Sequence, residues 1–256
     1  MEQREEATES FRIALDGVSL RRGHREVFRD LSCGFRAGEI SVILGGSGAG
    51  KSTLLRLIGG LTRPDSGAVR VSGQDITQIS ERDMFAVRDR IGMLFQGGAL
   101  LDSLTIFDNV ALPLREHTDL PESEIRAAVA RRLAAVGLPE TEELFPRQLS
   151  GGMNRRAALA RAVVNDPEIV LCDEPFSGLD PLNLRRIEGL LMDLNRRLGL
   201  TLLVTSHHLA SSLRMADRLV FLRRGGALSG TPEALQRSPD PEVVAFLSAE
   251  PDAGAR

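Results

Sequence analysis

The stretch Gly45-Gly46-Ser47-Gly48-Ala49-Gly50-Lys51-Ser52 fixes the fold class of this chain. It fits G-x-x-x-x-G-K-[ST], a loop whose glycines let successive backbone N–H groups turn inward around a polyphosphate. Lys51 offers a compact ammonium to β- and γ-phosphate oxygens, and the Ser52 hydroxyl suits Mg2+. Lys51 is also the one lysine among 256 residues; every other basic position is arginine. Keeping lysine against that background calls for a point charge rather than a planar guanidinium. The flanks are in register. Glu39-Ile40-Ser41-Val42-Ile43-Leu44 reads as a buried strand, and Thr53-Leu54-Leu55-Arg56-Leu57-Ile58 as a helix stopped by Gly59-Gly60. A chance glycine-rich turn accounts for the glycines alone, not for strand, loop, helix and sole lysine in that order. The expectation is a nucleoside triphosphate held by Gly45, Gly46, Ser47, Gly48, Ala49, Gly50, Lys51, Ser52 and Thr53.

The length allows one substantial core, with room for a subdomain. A net charge of −3 and a pI near 5.9 give no global basic field, which argues against nucleic acid and against direct attraction to anionic lipid. The arginines are matched by acids and read mostly as solvated helix faces, as at Arg126, Arg131 and Arg132. Cys33 and Cys172 make no disulfide framework, and Cys172 lies in an apolar run where a small buried hydrophobe is expected. The N-terminus is acidic and polar, without the pattern of a signal peptide. No apolar run approaches the ~18 residues of a membrane span. The expectation is a reduced, cytoplasmic protein whose membrane role comes through a partner.

Strand-like runs at Ile13–Leu20, Ile40–Leu44 and Val69–Ser72 surround the phosphate loop. Ile125, Val129, Leu133 and Val136 recur at helical spacing before Gly137. Ile169-Val170-Leu171-Cys172 ends at Asp173-Glu174, and Ile187, Leu190, Leu191, Leu194 and Leu198 then share one helix face before Gly199. Further strands read at Leu202–Thr205, which ends at Ser206-His207-His208, and at Leu219–Leu222, followed by a polar tail with Pro and Gly. This alternation predicts an α/β fold, mostly a parallel sheet with helices on both faces, joined by an antiparallel part near the loop. Such sheets place chemistry past the carboxyl ends of strands, where Lys51, Asp173, Glu174 and His207 all fall.

Four apolar residues followed by Asp173-Glu174 supply what a Walker B strand requires: a carboxylate for Mg2+ and a second to polarise the attacking water. Leu149-Ser150-Gly151-Gly152-Met153 precedes a helix, so a hydroxyl and free N–H groups meet at a positive helix end. Taken alone that segment is equally an ordinary helix cap. Between the two nucleotide motifs, however, Leu-Ser-Gly-Gly resembles the signature of ABC-transporter ATPases. The rest of that family's pattern follows in order: Gln96 matches the Q-loop, Ser177-Gly178-Leu179-Asp180 the D-loop, and His207 the switch histidine. His208 stands where the family usually has Asp, and a tuning role for it stays open. Arg22 falls where the family stacks an aromatic ring on adenine. The chain has no Tyr and no Trp; a guanidinium plane can stack on a purine instead, with loose base discrimination.

The resemblance implies a P-loop ABC ATPase fold: one nucleotide-binding domain over residues 11–247, a helical subdomain at about 97–164 inserted in its core, and polar tails at 1–10 and 248–256. It implies ATP and Mg2+, with Ser52, Gln96 and Asp173 as metal ligands and Glu174, His207 and Gln96 as catalytic residues. It also implies a homodimer in which Ser150, Gly151 and Gly152 of one copy cap the ATP held by the other, with Asp180 in the D-loop between them.

Within the family the chain is most similar to the ATPases of phospholipid-trafficking, MCE-associated transporters. The residues that carry this are Met93-Leu94-Phe95-Gln96-Gly97-Gly98-Ala99-Leu100, Phe107-Asp108-Asn109-Val110-Ala111, Pro113–Thr118, Leu149–Met153 with Arg155–Ala162, and Asp173–Pro181, with Met153 and Arg22 both like that subgroup. That likeness implies integral permease subunits, an MCE-domain lipid-binding protein, a STAS-type regulator and a place on the cytoplasmic face of the bacterial inner membrane. Residues Gly97–Leu104 carry one charge, Asp102, and could dock an apolar partner helix or pack as a hinge on their own core. Two other functions stay open: the ATPase of a small-solute importer, and a soluble ATPase without a transport role.

Overall fold

A computed structural model describes residues 11–223 and 226–248. The stretches 1–10 and 248–256, expected as polar tails, lie outside the described residues apart from Ser248. The chain forms two compact units, one built from the chain up to Phe85 together with the chain from Thr201 onward, the other from Ala86–Leu200.

The first unit opens with a long hairpin, β1 (Phe11–Arg22) and β2 (Arg25–Arg36), paired antiparallel from Phe11↔Arg36 to Arg22↔Arg25. The connection is Gly23-His24, with Gly23 at φ 59°, a left-handed value that favours glycine. β3 (Ile40–Leu44) follows, then α1 (Lys51–Ile58), and β4 (Ser66–Val71) returns to the free side of β1 with β5 (Gln74–Asp75) beyond it. α2 (Glu81–Arg88) carries the chain into the second unit.

From Thr201 the chain supplies β8 (Thr201–Thr205), α7 (Leu209–Met215) and β9 (Arg218–Arg223), then β10 (Gly226–Gly230), α8 (Pro232–Gln236) and α9 (Pro241–Ser248). β3 lies between β8 and β9 and is parallel to both, with Val42 opposite Val204 on one side and Leu219 on the other. Every residue of β3 and β8 is buried, as expected for parallel strands covered on both faces.

In the second unit β6 (Ile91–Leu94) pairs parallel with β7 (Ile169–Asp173), from Ile91↔Ile169 to Leu94↔Cys172. Between them run α3 (Ile106–His117), α4 (Glu122–Ala135) and α5 (Gly151–Val163), which pack on one another. Their buried faces carry Val110 and Leu114, Ile125, Val129 and Leu133, and Ala157, Ala158 and Leu159. α6 (Pro181–Leu198) closes the unit, capped by Asp180 at its start and by Gly199 at φ 65° at its end. β6 and α5 approach so closely that a Cβ on Gly92 would stand 1.9 Å from the carbonyl oxygen of Ala162.

The α/β class, the parallel strands β3, β7, β8 and β9 and the helix stops agree with the sequence expectations, while the parallel strand β6 was not foreseen. β2 was not foreseen: its buried Phe28, Leu31 and Phe35 follow an irregular spacing that shows no clean alternation. The stretch past Leu222, read as a polar tail, instead carries β10, α8 and α9. Leu235 and Val243 are buried there, and the Phe246 ring meets Phe221 edge-on at 5.2 Å. The two helices bury one apolar side chain each and β10 buries none fully, too few to print a period on the sequence.

Candidate functional site

The phosphate loop leaves β3 at Gly45 and enters α1 at Lys51. Gly45, Gly48 and Gly50 have φ of 149°, 75° and 98°, so three turns of the loop use backbone states that side-chain-bearing residues rarely adopt. Gly45 admits no side chain, since its Cβ would lie 2.7 Å from the carbonyl oxygen of Leu222. Gly46, Ser47 and Gly48 are exposed, Ala49, Gly50, Ser52 and Thr53 half-buried, and Lys51 buried. The Lys51 ammonium donates to Gly45 O at 2.9 Å and Gly46 O at 3.4 Å, and lies 3.2 Å from Nε2 of His207. His207 follows β8 directly, so the parallel pairing of β3 and β8 brings it to the loop across 156 positions. His208 serves instead as the N-terminal cap residue of α7, its carbonyl accepting from Ser212 N and Oγ.

Arg22 ends β1 on an exposed edge, where its Nη2 donates to Thr62 Oγ1 at 3.4 Å. Arg25, which the sequence reading did not single out, reaches the loop itself: its Nη2 donates to Gly48 O at 2.7 Å. Gly46–Ala49, the start of β2 and the facing ends of β9 and β10 line a cleft of about 690 Å3.

The second unit places its candidates on three segments. Gln96 is exposed just past β6, and Asp173 and Glu174 are buried at the end of β7. Glu174 has φ 47°, a left-handed value unusual for a residue with a side chain and typical of functional sites. Ser150 caps α5, its Oγ accepting from Met153 N at 3.3 Å. Gly151 is exposed, whereas Gly152 is buried so tightly that a Cβ would lie 2.6 Å from Oδ1 of Asn183. Asn183 Nδ2 in turn donates to Asp180 Oδ2 at 2.5 Å, and Asp180 Oδ1 accepts from Leu182 N and Asn183 N. These bonds hold the Asp180 carboxyl below the usual carboxylate range, Asn183 contributing most. The Ser-Gly-Gly segment and the D-loop thus meet through one asparagine.

Three further arginines matter here, and composition alone hid them among solvated ones. Arg155 is buried, donating to Glu174 O at 3.3 Å and Ser177 O at 3.0 Å. Burial lowers its pKa from the ordinary guanidinium value. Arg161 donates to Gly98 O and Ala99 O, both at 2.8 Å, and holds a turn in which Gly97, Gly98 and Ala99 all have positive φ. Arg156 binds the carbonyls of Val136 and Gly137. Of the arginines named as solvated, Arg126 and Arg131 are exposed and Arg132 is half-buried and ion-paired with Asp166. Asn109, fully buried, completes the loop after Gln96. Its amide donates to the carbonyls of Leu101, Leu104 and Thr105, and its Oδ1 accepts from Leu101 N.

Comparison with known proteins agrees with this geometry. Residues 28–177 match the ABC transporter family. The chain is 45% identical over 245 residues to the intermembrane phospholipid transport system ATP-binding protein MlaF of Haemophilus influenzae, covering 95% of this chain and 93% of that one. It is 42% identical to the probable ribonucleotide transport ATP-binding protein mkl of Mycobacterium bovis, covering 92% of this chain and 66% of the relative. Among solved structures it is similar to the ATP-binding cassette MJ0796, a dimer in a post-hydrolysis state bound to ADP and Pi. The identity is 30% and the TM-score 0.79, over 86% of this chain and 98% of that one. The chain belongs to the ABC transporter family, as an ATP-binding and ATP-hydrolysing subunit.

Proposed function

We propose that this subunit powers phospholipid trafficking between the inner and outer bacterial membranes. The observation that carries the reading is the 45% identity, spread over nearly the whole chain, to a protein named for intermembrane phospholipid transport. Residues 11–247 act as one nucleotide-binding domain, with the helical stretch 97–164 as its insertion. No helix among the described residues is long and apolar enough to cross a membrane. By the same likeness the subunit works at the cytoplasmic face of the inner membrane, bound to integral permease subunits, with an MCE-domain lipid-binding protein and a STAS-type regulator in the same assembly. Phe95 and Leu101, 38% and 47% exposed, flank the pinned turn after Gln96 and offer the permease an apolar seat.

Two copies act as a homodimer. Lys51 and the inward amides of Gly45–Thr53 hold the ATP phosphates of one copy, and Arg22 lies along the base. Ser150, Gly151 and Gly152 of the other copy cap the γ-phosphate with the N–H groups of a helix start. Neither copy completes the site alone, which couples hydrolysis to closure. Glu174 orients the attacking water, His207 contacts the γ-phosphate, and Gln96 links the site to the permease seat. Ser52, Gln96 and Asp173 are the proposed Mg2+ ligands, and when bound the ion neutralises phosphate charge. A hydroxyl, an amide oxygen and a carboxylate are hard oxygen donors and fit a cation that fills the rest of its shell with waters and substrate oxygens. Phosphoryl transfer then needs mainly positioning and charge stabilisation from the chain.

The likeness to a protein named for ribonucleotide transport favours a second reading, import of a small solute. Tagged Glu174→Gln protein, purified with ATP from detergent-solubilised native membranes, separates the two by mass spectrometry of bound proteins and lipids. A permease with an MCE-domain protein and phospholipid is expected. A solute permease with a periplasmic binding protein would move the assignment to import, and no membrane partner would point to a soluble ATPase.

A further inference from the structure

Gly48 has φ 75°, a left-handed value that glycine adopts without steric cost. Its carbonyl points outward and accepts from Nη2 of Arg25 at 2.7 Å. The peptide is trans, so the Ala49 N–H points to the opposite side, where Gly46 O lies 3.1 Å from the nitrogen. The fit is close, since a Cβ on Gly48 would stand 2.6 Å from that same Nη2. Two residues further along β2 the loop is backed again. A Cβ on Gly50 would meet the Phe28 ring at 2.7 Å and Val27 Cγ1 at 3.0 Å. The start of β2 is itself fixed, because Arg25 pairs with Arg22 at the closing end of the hairpin.

We propose that Arg25 is a positioning residue for the phosphate loop, clamping the Gly48–Ala49 peptide with its carbonyl turned away from the nucleotide. The proposal rests on the ATP-site reading above. The physical reason is electrostatic. Were this peptide inverted, the Ala49 N–H would leave Gly46 O and a carbonyl oxygen would turn to the inner side of the loop, a change that glycine's own backbone preferences resist little. A guanidinium hydrogen bond is charge-assisted and directional, which makes Arg25 an effective restraint even on an exposed edge. Because the loop holds phosphates alike in the ground and transition states, the clamp acts on nucleotide affinity and leaves the chemical step alone.

The test uses the full chain with MgATP and MgADP titrations, and KM and kcat in the assembled transporter. In Arg25→Ala the Kd for both nucleotides and the KM for ATP are expected to rise about 5- to 10-fold, with kcat within about twofold. The thermal midpoint of the nucleotide-free protein stays unchanged, and Arg25→Lys recovers part of the affinity. An unchanged KM, or a fall in kcat at constant KM, overturns the clamp. So does a lower midpoint without nucleotide that by itself accounts for the affinity loss. Lys51→Ala serves as the reference: lost nucleotide binding there with none lost in Arg25→Ala sinks the clamp alone. Binding unchanged in both variants sinks the ATP site itself.

Discussion

The ammonium of Lys51 and Nε2 of His207 stand 3.2 Å apart. An ammonium has donors only, so a hydrogen bond between the two needs Nε2 as its acceptor. The phosphate-loop lysine thus has two loop carbonyls and one imidazole among its partners, and a phosphate oxygen that binds it competes with these acceptors. The contact also separates two adjacent histidines by position, since His208 is committed to the start of α7.

From this we expect His207→Ala to lower kcat for ATP hydrolysis on the order of 100-fold, as for loss of one preorganised transition-state contact. The KM for ATP should stay within about threefold, while His208→Ala keeps kcat within about twofold. Steady-state kinetics of the two variants check this, and equal effects would return the choice between the histidines to open.

Glu174 is buried and held at φ 47°. Glu174→Gln keeps the shape of the side chain and removes its charge, so ATP binding persists while hydrolysis falls by about 100- to 10,000-fold. With ATP the variant should run as a dimer on size exclusion, and without nucleotide it should not. Turnover near that of the unsubstituted protein would remove Glu174 from its role.

Arg155 ties the carbonyls of Glu174 and Ser177 together from inside α5. Arg155→Met leaves two carbonyls short of a donor in a buried place, a cost of about 2 kcal/mol. The thermal midpoint should fall by roughly 6 °C. Because the same bonds shape the turn that carries Glu174, kcat should drop further than the loss of folded protein explains. Unfolding monitored alongside activity measures both.

Gly92 lies where β6 meets α5, and any Cβ there collides with the Ala162 carbonyl. Gly92→Ala must push strand and helix apart, costing on the order of 3 kcal/mol. Urea unfolding should show a lower midpoint with an unchanged slope.

Acid sensitivity follows from the start of α3. Arg115 Nη1 and Thr105 Oγ1 donate to Asp108, at 2.9 Å and 2.8 Å, and Arg115 contributes most to holding that carboxyl below the usual carboxylate range. A carboxyl whose pKa is lower folded than unfolded adds stability above its unfolded value and loses it as pH falls through the folded one. The stability difference between the natural chain and Arg115→Ala should therefore hold at pH 6–7 and shrink below about pH 4. Urea midpoints at several pH values check the sign.

The phosphate loop, the Asp173-Glu174 strand end and the Ser-Gly-Gly helix start were all legible in the sequence. Each is a contiguous run whose chemistry depends on local backbone shape: glycines at positive φ, a strand terminus, a helix cap. The parallel strands β3, β7, β8 and β9 could be read for a similar reason, because burial on both faces writes itself as a largely apolar run, whereas β6, buried only at alternate residues, could not. What the chain order alone left undecided is which distant groups meet. The contact of Lys51 with His207 exists because β3 and β8 pair in one register, and that of Arg25 with Gly48 because the β1–β2 hairpin aims its second strand at the loop. The arginines show the limit most clearly. Arg131 in solvent and Arg155 under the Glu174 turn are the same residue type on neighbouring helices. Packing alone made one a solvated charge and the other an internal clamp, because a guanidinium's role depends on which carbonyls the tertiary fold brings within hydrogen-bond reach.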